Sequence, residues 1–163
     1  MTYQIAVCGP SDCTEAEWAD AYRVGQLLAE RGVVLLCGGG TGVMAAAAAG
    51  ARSRAGLVVG IRPGDGREGA SPDLSVTIVT NLGEARNAII AWSADAVIVV
   101  GGSWGTLSEL ALARRRGGIP VVSLRGWQVL DRDGSPVPGV DAVHSPEAAV
   151  DVVFARGGFE RQG

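Results

Sequence analysis

Residues 99–110, VVGGSWGTLSEL, pass from an apolar end through two glycines into a segment with helical spacing. A buried strand leaves through Gly101 and Gly102, a helix opens near Gly105 and Thr106, and Glu109 sits one turn into it. A strand that ends in glycines at the mouth of a helix leaves backbone N–H groups free to face an anion, and the helix dipole favours the negative charge. The layout recurs at 33–44, VVLLCGGGTGVM, where Gly38, Gly39, Gly40, Thr41 and Gly42 separate a strand from an alanine-rich helix. A shorter version, VCGPSD, closes the first apolar run with Gly9 and Ser11. Glycine allows the backbone to approach a phosphate closely, and the threonines add hydroxyl donors.

Outward from these loops the chain alternates strand and helix. A strand is expected over 3–8, then a helix opened by a capping box of Thr14 and Glu17, with Trp18, Tyr22, Leu27 and Leu28 along its apolar face and Gly32 as its stop. Strands over 33–37, 57–61 and 75–79 follow, the first two flanking a helix over 43–54. Residues 62–73, RPGDGREGASPD, have the composition of a mobile loop. A helix over 82–93 carries Arg86 and Asn87; a strand over 96–100, a helix over 104–116 and a strand over 120–124 come next. Residues 126–140 read as a hairpin or an irregular segment, and 145–158 as a closing helix with Ser145 as cap and Pro146 in its first turn.

Strands that are continuously apolar and separated by helices indicate a parallel sheet covered on both faces. The expectation is therefore an α/β protein, a Rossmann-like doubly wound sandwich, forming one domain over 1–163. Ligands of such sheets sit outside the carboxyl ends of the strands, the edge on which all three glycine loops fall.

Composition excludes several chemistries. The net charge is −3, which gives no reason to expect a nucleic-acid or anionic-membrane partner. All positive side chains are arginine. Without lysine there is no Schiff base to pyridoxal phosphate, no lysine nucleophile and no Walker A lysine, so a pyridoxal-dependent lysine decarboxylase and a P-loop ATPase are both excluded. GGGTGVM also fails as a dinucleotide fingerprint, because Val43 stands at the third glycine and the next strand ends in Ile61 and Arg62 with no acid for a ribose. Cys8, Cys13 and Cys37 are odd in number and lack CxxC spacing, which suggests reduced thiols. No signal peptide or spanning segment is visible, so a cytoplasmic protein is expected.

Among the polar groups, Arg86 lies where a guanidinium can reach a phosphate or ribose, and Glu109 near the positive end of a helix dipole. The plainer alternative is that Arg86 pairs with Glu109 or Glu84, and that Glu109 only complements the dipole. Ser11 and Asp12 are placed for a ribose or base edge, and Arg62 and Arg67 for closing over a ligand. Trp104 is expected to pack, Trp18 and Trp92 to be core or interface residues, His144 to be a cap or surface residue, and Arg114 to Arg116 to form a solvated helix end. No metal site and no resident cofactor are expected. If the glycine loops are only turns, the protein is instead an assembly subunit.

GGGTGVMAAAAAGA, EARNAIIAWSADAVIVVGGSWGTLSE and VCGPSD, taken together, resemble the LOG (lonely guy) superfamily, and most of all its small bacterial branch similar to molybdenum cofactor carrier protein. The resemblance covers nearly all of residues 3–125. In LOG enzymes a PGGxGTxxE motif with an upstream arginine binds a nucleoside monophosphate and releases base and ribose 5-phosphate. Gly101, Gly102, Gly105, Thr106 and Glu109 match that motif and Arg86 matches the arginine, while Val100 stands in place of the proline and Asn87 replaces a lysine. The carrier-like branch holds a phosphorylated pterin through similar loops. The resemblance thus implies two functions. One is a phosphoribohydrolase with Arg86 and Glu109 catalytic, the carboxylate stabilising an oxocarbenium-like sugar or activating water. The other is a non-catalytic carrier or sensor. In both, Gly9, Ser11, Gly38, Gly39, Gly40, Thr41, Gly42, Asn87, Gly101, Gly102, Gly105 and Thr106 are the candidate ligand-binding residues, the partner is a small phosphorylated molecule, and a homodimer or higher homo-oligomer is implied.

Overall fold

Runs of Val, Leu, Ile and Ala too short for helices become strands, most followed by a turn-forming cluster and a helix, and Thr14, Ser103 and Ser145 cap three of those helices. In the computed structural model, which describes residues 2–160, the order is β1 (Gln4–Cys8), α1 (Glu15–Glu30), β2 (Val34–Cys37), α2 (Val43–Arg52), β3 (Val58–Arg62) and β4 (Val76–Val79). Then come α3 (Arg86–Ser93), β5 (Ala96–Val100), α4 (Trp104–Arg116), β6 (Val121–Leu124), β7 (Asp141–Val143) and α5 (Pro146–Gly157). The seven strands form one sheet in the order β4-β3-β2-β1-β5-β6-β7, with every pairing parallel. The chain winds outward from β1 in one direction and from β5 in the other, so the loops after β1 and β5 flank the switch point. This is the doubly wound α/β fold the apolar runs predict.

Alternate side chains of each strand serve two apolar layers. Ile5, Val7, Leu35, Cys37, Val58, Ile98, Val100 and Leu124 pack with α1, α2 and α5. Ala6, Cys8, Leu36, Ile61, Val97, Val99 and Val121 pack with α3 and α4. Both faces of β5 are covered, which is why residues 96–100 read as an unbroken apolar run rather than an alternating one.

The capping box of α1 forms: the Thr14 hydroxyl accepts from the Glu17 N–H, and the Glu17 carboxylate accepts from the Thr14 N–H at 2.8 Å. Its buried face differs from the one expected. Ala21, Val24, Gly25 and Leu28 are buried, Tyr22 and Leu27 are partly so, and Trp18 is 44% exposed, stacked on Tyr22 with ring centroids 5.2 Å apart. The reason lies in the crossing with α2. A Cβ at Gly25 would stand 2.1 Å from the Ala47 carbonyl oxygen, and one at Gly50 would stand 2.0 Å from that of Tyr22. Backbones this close leave room only for small residues on the contact line.

Other expectations are corrected at the edges. The helix expected from 82 begins as a 3-10 turn over Gly83–Ala85, and Arg86 is the first residue of α3. β7, only three residues long, was not expected; Asp141 within it is held by Arg156 at 2.6 Å. Residues 62–73 are tied to the sheet edge: the Ser71 N–H donates to the Gly39 carbonyl at 3.0 Å, and Arg62 Nη2 donates to the Glu68 carbonyl at 2.8 Å. The basic end of α4 is more than a solvated terminus, since Arg116 Nη1 donates to the carbonyls of Ala91, at 2.7 Å, and Ala94 at the end of α3. Among the described residues no helix is long and apolar enough to cross a membrane.

Candidate functional site

At the carboxyl ends of β1, β2 and β3 lies a cleft of about 240 Å³ lined by Ser11, Gly38, Gly40, Thr41, Met44, Arg62, Pro63, Gly69 and Arg86. No carboxylate is in this lining. Arg86 projects from the first turn of α3, and its Nη1 donates to the carbonyls of Gly38, at 2.9 Å, and Ile61, at 2.5 Å. Neither Glu109 nor Glu84 comes within 4.0 Å of it as an ion pair, so the pairing considered from sequence does not form. Its Nε–H is buried without an acceptor. Burial, and secondarily Arg62, pull its pKa down, while Glu109 pulls it up.

The first glycine loop is shaped by close contacts. Gly42, at φ +61, is the residue before α2, and a Cβ there would meet the Pro10 carbonyl oxygen at 2.3 Å. That carbonyl accepts from the Val43 N–H at 3.0 Å, and the Ser11 carbonyl accepts from the Thr41 hydroxyl at 3.0 Å. The loop after β1 is thereby fastened to the loop after β2. At Gly38 a Cβ would stand 2.5 Å from Arg86 Nη1 and 2.6 Å from Met44 Sδ, so a side chain there would displace the ends of those two residues. Gly9 and Gly39 serve packing: a Cβ at Gly9 would stand 2.4 Å from Val43, and Gly39, at φ +69, lies against Gly60 and Leu74.

The second glycine loop is built differently and does not share the cleft. Gly101, at φ +66, faces the Glu17 carboxylate, and Gly102 lies under the Trp127 indole, where a Cβ would be 2.2 Å from the ring. Gly105 has open space around it. Ser103 caps α4, accepting from the Thr106 N–H at 3.2 Å, and its hydroxyl lies 2.9 Å from that of Thr106, which is itself buried. Trp104 is 79% exposed and meets Trp127 edge-on, so it does not pack into the core as expected. Trp92 is 64% exposed, with the Arg116 guanidinium over its ring. His144 is exposed, and its carbonyl accepts from Arg125.

Glu109, in the second turn of α4, is only 8% exposed and outside the cleft lining. Burial raises its pKa from 4.5 to about 7, against the opposing pull of Arg86 and, less, of Cys8. Cys8 is buried at the end of β1, its pKa pushed well up by burial and by Glu109. Asn87 is also buried, while Asp12 and Arg67 are exposed and absent from the cleft lining. Sequence reasoning thus underrated Arg62 and missed Ser103 and Trp127. Arg62 carried a usable signal, as the last residue of a strand at the edge where the glycine loops fall. Trp127 gave none, because it reaches the second loop only through the fold of 126–140.

A parallel doubly wound sheet with glycine loops before helices at its carboxyl edge, and an arginine-lined cleft beside them, defines a Rossmann-like class of protein. Within that class the SLOG cluster4 family model matches residues 2–150, and the chain belongs to that family. The molybdenum cofactor binding protein of the phototrophic bacterium Rippkaea orientalis superposes with a TM-score of 0.86, at 36% identity over 96% of this chain and 98% of that one. The molybdenum cofactor carrier protein of Chlamydomonas reinhardtii gives a TM-score of 0.80 at 31% identity, over 94% of this chain and 99% of that one. A cytokinin riboside 5'-monophosphate phosphoribohydrolase of Mycobacterium tuberculosis is 36% identical over 138 residues, 79% of this chain and 74% of that protein. The LOG-like resemblance read from the loops is borne out.

Proposed function

We propose that this protein binds a phosphorylated small molecule, a nucleotide or a phosphorylated pterin, in the Arg86 cleft and holds it without cleaving it. The observation that carries this reading is the state of Arg86: a partly buried guanidinium, with carbonyl acceptors but no carboxylate partner, in a cleft whose lining contains no negative charge. An anion is the partner such a group lacks, and a phosphate suits a planar fork of N–H donors. The likeness to the cofactor-binding proteins of Rippkaea orientalis and Chlamydomonas reinhardtii supports the same reading.

Hydrolysis of a nucleoside 5'-monophosphate is the second reading. It is favoured by the buried Glu109, whose charge acts on Arg86 and whose carboxyl group, raised to about 7 by burial, can exchange a proton near neutrality. Against it, Glu109 is buried and absent from the cleft lining.

The test is to incubate the protein and its Glu109→Gln variant with nucleoside monophosphates, follow free base and ribose 5-phosphate by chromatography, and measure melting temperature with each ligand. A raised melting temperature without base release, with the rise lost in Arg86→Gln, supports holding. Base release by the wild type and not by Glu109→Gln establishes the hydrolase instead.

A further inference from the structure

Arg86 is not the only guanidinium in the cleft. Arg62, the last residue of β3, also lines it, and its Nη1 donates to the carbonyl of Gly39 at 3.3 Å while Arg86 Nη1 donates to that of Gly38. The two cations therefore rest on consecutive carbonyls of one glycine loop. Each keeps a buried Nε–H without an acceptor, and neither has a carboxylate within 4.0 Å among the described residues. Arg62 disfavours the charge on Arg86, though by less than the buried Glu109 favours it. Two like charges resting on one loop of a partly buried cleft, with no carboxylate in its lining, are eased by an anion that enters it. The positive end of α2 opens onto the same cleft through Gly40 and Thr41, and adds to the demand.

From this pairing we infer that Arg62 and Arg86 form a clamp for a diphosphate, so that the ligand class is a diphosphate ester rather than a monophosphate. This rests on the proposal that the cleft takes a phosphorylated ligand, and it narrows that proposal. A single phosphate answers one guanidinium bidentately. A diphosphate presents two linked phosphoryl groups, one to each arginine, and carries the additional negative charge that two arginines and a helix N-terminus call for.

The experiment is isothermal titration calorimetry at fixed ionic strength with four probes: inorganic phosphate, pyrophosphate, AMP and ADP. The wild type is expected to bind pyrophosphate over phosphate, and ADP over AMP, by about ten-fold or more. Arg62→Gln is expected to bring both ratios down to about two. A second variant guards against a folding defect. Gly69, at φ +68, lies 3.6 Å from Arg62 Nη2, and Asn and Asp are the non-glycine residues that best accept that backbone. Gly69→Asp sets a carboxylate against Arg62 and should abolish the diphosphate preference, whereas its uncharged counterpart Gly69→Asn should lose less of it. If AMP binds but the wild type shows no preference, or the preference survives both Arg62→Gln and Gly69→Asp, the clamp is wrong and the phosphate cleft stands. If no probe binds to the folded protein, both proposals fall.

Discussion

Cys8 at the end of β1 and Glu109 in the second turn of α4 are both buried and act on each other: Glu109 pushes the Cys8 thiol up, and Cys8 draws the Glu109 carboxyl down. Burial outweighs the pull of the Arg86 charge and of Cys8, so Glu109 has a folded-state pKa of about 7 against an ordinary value of 4.5. The folded protein then holds a proton that the unfolded chain has released between these two values. Stability is full below the lower one and falls as pH rises through the window. Glu109→Gln removes the titration, so its stability relative to wild type should climb between pH 4.5 and 7, by up to ~3 kcal/mol. Urea melts of both proteins at pH 4.5, 6 and 8 measure this; a constant difference across the three would show that Glu109 is ionised in the fold.

Gly50 poses helix propensity against packing. Alanine in a helix interior is favoured over glycine by about 1 kcal/mol. Here the added methyl would sit 2.0 Å from the Tyr22 carbonyl oxygen, a backbone atom that moves only if α1 moves. Gly50→Ala should therefore destabilise the protein by about 1–3 kcal/mol, as overpacking does. Denaturant midpoints at constant m-value decide between the two effects by their sign.

The order of most strands and helices was legible because the central runs were apolar for nearly their whole length and two helices carried a readable cap, Thr14 with Glu17 and Ser145 with Pro146. The loops at the carboxyl edge followed from that order. What escaped depended on distances across the fold. Trp18 and Tyr22 are large and apolar, yet the α1–α2 contact is set by Gly25 and Gly50, which from sequence look like weak points of two helices. The two glycine loops share a composition, but Gly38 turns toward Arg86 and Gly102 toward Trp127, so only the first lines the cleft. Burial of Glu109 likewise depends on the layer formed by β1, α3 and α4, and no local pattern contains it.

Ser103 has a local role that a single substitution isolates. Its hydroxyl accepts from the Thr106 N–H and contacts the Thr106 hydroxyl, so Ser103→Ala leaves one N–H of the first turn of α4 without an acceptor and strips a buried hydroxyl of its partner. The expected cost is about 1–2 kcal/mol, with Ser103→Asp retaining most of the stability because a carboxylate also caps. Thermal unfolding of the two variants checks the order; equal losses would mean that the cap contributes nothing beyond shape.

The three thiols should separate by reactivity. Cys8 and Cys37 are buried, and burial pushes the first well above its ordinary pKa and the second to about 11, so neither supplies thiolate at neutral pH. Cys13 is only partly buried, and its pKa is raised chiefly by burial and then by Glu17 and Asp12. A thiolate-selective reagent at pH 8 should therefore label Cys13 alone, and slowly, in the native protein, and all three cysteines in denaturant. Mass spectrometry of the labelled protein reads the count and the site. Rapid native labelling of Cys8 would mean that the layer between β1 and α4 opens on the timescale of the reaction, and would put the buried state of Glu109 in question with it.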